Sequence, residues 1–161
     1  MKILIILIIF FSYNAMAEDV GESTGKPIPR FISLKNSPAN LRVGPNTDYP
    51  KILEYEYKNI PLKVVDEFDQ WRKVIDWMNN EGWIHLSLLS SKRFGIIINK
   101  NNEYIDLYNK PGKRIKGKIG TLNIVELKKC IDKWCKIKIE THTGWIEKNN
   151  IWGVFKDEDF D

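Results

Sequence analysis

Along this chain, from residue 30 onward, apolar positions alternate with polar ones in short runs bounded by Gly, Pro, Asn and Asp. No segment there sustains a 3.6-residue period, so the pattern predicts strands rather than helices. A first set is expected at Phe31–Leu34, Asn40–Val43, Leu62–Phe68, Trp71–Trp77 and Gly82–His85. A second set follows at Gly95–Asn99, Tyr104–Leu107, Asn123–Ile131, Trp134–Glu140 and Thr143–Ile146. Strands this short and this closely spaced suggest an all-β fold, a small barrel or a sandwich.

The two sets are copies of one another. With Trp71 placed on Trp134, Leu62-Lys63-Val64 falls on Val125-Glu126-Leu127 and Val74 falls on Ile137. Gly82-Trp83-Ile84 falls near Gly144-Trp145-Ile146, with a one-residue difference in spacing that a hairpin loop absorbs. Leu86–Leu89 and Glu147–Ile151 each suit one tight helical turn. The sequence therefore divides into a repeat over 30–90, a second over 91–155 and an acidic tail over 156–161. Each repeat is near the size at which burial alone is marginal, which favours two repeats sharing apolar surface.

Two segments lie outside this pattern. Ile3 to Phe11 is an unbroken apolar run after Lys2, and Ala15-Met16-Ala17 has the small-x-small form of a signal-peptidase site. The run is about half the roughly 20 residues needed to span a bilayer. Export with cleavage after Ala17, to the periplasm or beyond, is expected in preference to a membrane anchor. After cleavage the protein would not span the membrane, and no Cys in the leader offers a lipid attachment point. Residues 18–29 are polar, with Gly, Ser, Thr and Pro, and suit a flexible linker. The two Cys, Cys130 and Cys135, flank a predicted hairpin turn. An oxidising compartment favours a disulfide over two buried thiols. Glu67 and Arg72 stand at the matching positions of the first repeat, where opposite charges suit a cross-strand pair, a weak one if exposed.

These motifs resemble bacterial SH3-like domains. The pattern is Asn40-Leu41-Arg42-Val43-Gly44-Pro45, then Trp71-Arg72-Lys73-Val74, then Gly82-Trp83-Ile84-His85. More narrowly, the chain is similar to exported two-repeat proteins with SH3-like domains. Arg30-Phe31-Ile32-Ser33-Leu34-Lys35, the Cys130 to Cys135 segment with Trp134, and Ile151-Trp152-Gly153 carry that likeness. The second repeat departs from the opening motif, with Ile105 to Pro111 in its place. The resemblance implies that the Gly44-Pro45 loop flanks a groove for extended peptides. That makes Arg42, Tyr49, Tyr55 and Tyr57 candidate contacts, although the tyrosines equally suit strand packing.

Among the tryptophans, Trp71 and Trp77 share a face of one predicted strand, and Trp134 shares a face with Lys136 and Lys138. All three are candidate ligand platforms, whereas Trp83 and Trp145 are expected to pack within the barrels. No nucleophile-and-base pair, phosphate loop or metal-ligand spacing is evident. No cofactor, catalytic residue or metal site is therefore expected. Residues 31–90 carry a net charge of −1, residues 91–155 carry +8 and the tail carries −3. The basic repeat suits an anionic envelope polymer by long-range steering; nucleic acid is not expected in the predicted compartment. The leading expectation is a non-enzymatic envelope binding module for peptidoglycan peptide or another extended peptide. An adaptor or sensor for an envelope protein is the alternative, and an amidase-type wall enzyme is a third.

Overall fold

The computed structural model describes residues 19–100 and 103–161; the expected leader over residues 1–17 lies outside them. The fold is all-β. The first sheet contains β1 (Arg30–Leu34), β2 (Ala39–Arg42), β3 (Lys51–Tyr55), β4 (Pro61–Phe68), β5 (Trp71–Ile75), β6 (Glu81–His85) and β7 (Leu89–Ser90). The second contains β8 (Phe94–Ile97), β9 (Tyr104–Tyr108), β10 (Ile115–Gly120), β11 (Ile124–Ile131), β12 (Trp134–Ile139), β13 (His142–Glu147) and β14 (Ile151–Trp152). The strand orders, β3-β2-β6-β5-β4-β1-β7 and β10-β9-β13-β12-β11-β8-β14, are the same topology used twice. Single 3₁₀ turns at Leu86–Leu88 and Lys148–Asn150 occupy equivalent places, where tight helical turns are predicted. Among the described residues no helix is long and apolar enough to cross a membrane.

The duplication extends to backbone detail. A bulge interrupts the β4–β5 ladder between Val64 and Asp66, and another interrupts β11–β12 between Leu127 and Lys129. Left-handed residues recur in pairs, Asn59 with Leu122, Asp69 with Asp132, and Asn79 with Glu140. Asp and Asn tolerate that conformation because their short polar side chains bond locally. Each barrel encloses its own core. Leu41, Leu62, Val64, Val74 and Ile84 fill the first, and Leu107, Val125, Leu127, Ile137 and Ile146 fill the second. Alternation places Lys73, Trp83 and Trp145 on the opposite, outer faces. Trp83 and Trp145 are half-buried there, outside the cores in which the sequence places them. Edge strands β3 and β10 escape the sequence pattern because their Lys-rich, largely exposed residues do not alternate.

The Cys130–Cys135 disulfide is formed, and its two residues are register partners across β11 and β12. In the first barrel Glu67 and Arg72 hold the same register. The cross-strand pair is formed but not in the exposed setting that would make it weak: both side chains are buried and point to the core side with Ile84. The buried carboxylate explains a second difference. Residues 19–29 fold back over it rather than hanging as a loose linker. Val20 bridges Pro27, the Gly21 amide donates to the Lys26 carbonyl at 2.8 Å, and Thr24 Oγ1 donates to Glu67 Oε1 at 2.9 Å. Arg30 also pairs with Glu67. The tail likewise lies on the second barrel. Phe160 exchanges two backbone hydrogen bonds with Cys130 and packs on the second core. Asp159, Asp161 and Glu158 pair with Lys148, Lys129 and Arg93.

The barrels meet through the motif residues that open β1 and close β14. Phe31 packs edge-on against Trp152 at 5.1 Å between ring centres and against Phe155 at 4.7 Å. Buried Ser33 donates to the Lys92 carbonyl at 2.8 Å, and Ile124 packs against the first core. Gly153, at a φ of 126°, lies where a side chain would strike the Phe94 carbonyl. That close approach accounts for glycine there.

Candidate functional site

The outer face of β5 and β6 gathers aromatic and cationic side chains into two adjoining rows. A two-residue turn, Asp69-Gln70, sets Phe68 opposite Trp71, and Trp71 opposite His85 across the next ladder. Directly opposed residues in antiparallel strands share a face. Lys73, Trp83 and Arg42 form the neighbouring row, since Lys73 pairs with Trp83 and Trp83 with Arg42. The Trp71 and His85 rings meet edge to face at 5.2 Å. His85 Nδ1 is 2.8 Å from Ser87 Oγ, which orients the imidazole at the start of the 3₁₀ turn. Phe68 is 56% exposed, Trp71 is half-buried, and Lys73 is tied at 2.6 Å to Glu81.

The same position in the second barrel is closed. Trp134 is on the outer face, opposite Glu147 and Ile131, but only 8% exposed. Tyr108 holds the place of Arg42, because each pairs with the Trp of its Gly-Trp-Ile strand. The Tyr108 ring meets Trp134 edge to face at 5.1 Å, and Gly112 in the following turn lies against the indole. In the first barrel Arg42 donates instead to the Tyr49 carbonyl at 2.7 Å, and Trp71 stays partly accessible where Trp134 is buried.

The remaining sequence candidates fall into three groups. Arg42 and Tyr49 are adjacent, with Tyr49 exposed and its ring against Gly44. Tyr57 is 70% exposed but follows β3 at the end remote from that loop. Tyr55, Trp77 and Trp134 are corrections. Tyr55 is 5% exposed and donates its hydroxyl to buried Asp76 at 3.0 Å. Burial, with the Asp76 carboxylate beside it, raises the phenol above its ordinary range. Trp77 lies past the end of β5 in the Asp76 turn and packs against the core, so it does not share the Trp71 platform. Trp134 is covered as described. Phe68, Trp83 and His85 belong to the open face and were not among the candidates. The signal that finds them is the hairpin register, which a two-residue turn before Trp71 fixes.

Paired small barrels, with an aromatic surface open on one and closed on the other, define a tandem small-barrel protein. A sequence model described as the bacterial SH3 domain matches residues 35–91 and 123–153. Together these are more than half of the chain, which belongs to that family. Solved structures of NlpC2 and NlpC1 from Trichomonas vaginalis are similar at 11% identity, with TM-scores of 0.36 and 0.33. Each alignment covers 82% of this chain, and 51% and 48% of those chains, so the protein spans about half their length. No curated protein matches the sequence.

Proposed function

We propose that the protein is a non-catalytic binding module of the bacterial envelope that holds an extended peptide, such as a peptidoglycan peptide, on the outer face of its first barrel. The observation that carries this reading is the open Phe68–Trp71–His85 row beside Trp83 and Arg42. A partly exposed indole flanked by a second ring is a sequence-tolerant apolar platform. Lys73 in the neighbouring row, paired with Glu81, and the Arg42 donors not taken by the Tyr49 carbonyl add charge for backbone carbonyls or a terminal carboxylate. Family membership and the leader-like first 17 residues support the envelope setting.

The test uses the chain from residue 18 onward, retained on purified wall sacculi at low salt. Trp71→Ala removes the platform from a surface position, so retention should fall at least about tenfold, since a central interface aromatic contributes roughly 2 kcal/mol or more. Equal retention of the variant, with its fold intact by circular dichroism, contradicts the proposal.

A further inference from the structure

The stretch from Ser91 to Phe155 has fourteen Lys and Arg against six carboxylates, yet three of those six line a single cleft. Glu103, Asp106 and Glu147 are the three, and Lys118 is the one cation of that stretch among the lining residues. The cleft encloses about 620 Å³. It opens because β9 joins β13 through the single pair Tyr108↔Trp145, which leaves Tyr104–Leu107 paired on the β10 side alone. Tyr104 and Tyr108 supply aromatic walls. Among the described residues no ion pair engages any of the three carboxylates. Nor does any group of three acidic, His or Cys residues among them come together as a metal site. The charges are therefore spread along the walls, an arrangement for an elongated ligand rather than an ion.

A second hollow continues from the cleft, sharing Asn99 and Asn150 with it, and Leu122 stands on its rim. Leu122 is 70% exposed and left-handed at a φ of 64°, where the first barrel has Asn59 at 68°. Leucine gains no burial at such a place and is disfavoured in that conformation. In the first barrel the counterparts of Asp106, Tyr108 and Glu147 are Asn40, Arg42 and His85, none of them a carboxylate. Glu103, Asp106, Lys118 and Leu122 also fall between the two segments that match the bacterial SH3 family. Neither the duplication nor family membership accounts for them.

We propose that this cleft binds an extended peptide segment carrying lysine-type ammonium groups beside an aliphatic side chain. Carboxylates on separate walls pair with the ammonium groups, the tyrosines flank their methylene stems, and Leu122 meets the aliphatic neighbour. The basic surroundings do not cancel this, because charges beyond about 8 Å are screened at physiological ionic strength. One exposed pair is worth less than about tenfold in affinity, so discrimination requires the carboxylates to act together.

The test titrates the chain from residue 18 onward with a blocked Lys-Lys-Leu peptide and with its Nε-acetylated form, by calorimetry. The charged peptide should bind at least tenfold more tightly. The double variant Asp106→Asn with Glu147→Gln should abolish that preference. Leu122→Asn installs the residue of the sister barrel; it should weaken binding while the thermal midpoint stays level or rises. Equal affinity for the two peptides, binding of neither, or a preference that survives the double variant overturns the proposal. A loss in Leu122→Asn accompanied by a lower midpoint overturns the contact assigned to Leu122.

Discussion

Glu67 shows how a single residue can replace a covalent link. It holds the register of Cys130, faces Arg72 in that of Cys135, and is 2% exposed. Burial pushes its carboxyl up, but hydrogen bonds from Arg30 and Thr24 and the charges of Arg30 and Arg72 outweigh this. The carboxyl is held below its ordinary value of 4.5. A depressed carboxyl contributes stability above its unfolded value and loses it as pH falls through the folded one. Unfolding midpoints measured in urea should therefore drop as pH falls below about 4.5. Glu67→Ala at neutral pH should cost about 3–5 kcal/mol, because Arg72 stays buried without its counter-charge. An acid profile unaltered in the variant contradicts this assignment. The opposite charges were legible in the sequence. Their burial was not, because it depends on Thr24 and Arg30 reaching the carboxylate from a segment whose composition reads as linker.

At the scale of elements, the two copies of one hairpin diverge on both faces. Inward, the second copy has a disulfide closed over a sequence separation of 5. So short a loop stabilises by about 2 kcal/mol in the chain-entropy account. Replacing Cys130 and Cys135 together by Ala should lower denaturant stability by roughly that amount, and amide exchange should place the loss in β11 and β12. A uniform loss across both barrels contradicts a local role. Outward, Trp71 and Trp134 have the same alternation, and the sequence gives them one role. Their difference lies in one neighbour, Arg42 against Tyr108, which becomes visible only once β2 and β9 are paired with β6 and β13. The longer strands with one buried face were legible from period-2 patterning. It failed at β3 and β10, where little is buried on either face, and at two-residue β7 and β14, too short to show a period and overlapping the predicted helical turns.

At the scale of the whole molecule, the terminal segments and the motif residues join two barrels that are each small for independent stability. Phe31, Trp152 and Phe155 form the aromatic contact between them, and Arg93 stacks over the Phe160 ring at 4.6 Å. Phe31→Ala should uncouple the barrels, so calorimetry should resolve two unfolding transitions in place of one. The two copies differ on their outer faces, partly open at Trp71 and covered at Trp134. Backbone amide shifts, followed while solubilised peptidoglycan peptides are titrated into the chain from residue 18 onward, test that difference most directly. The expected result is a continuous patch of shifts over Phe68, Trp71, Trp83 and His85, with Trp134 unmoved. Shifts centred on Trp134, or none in the first barrel at saturating peptide, would contradict it.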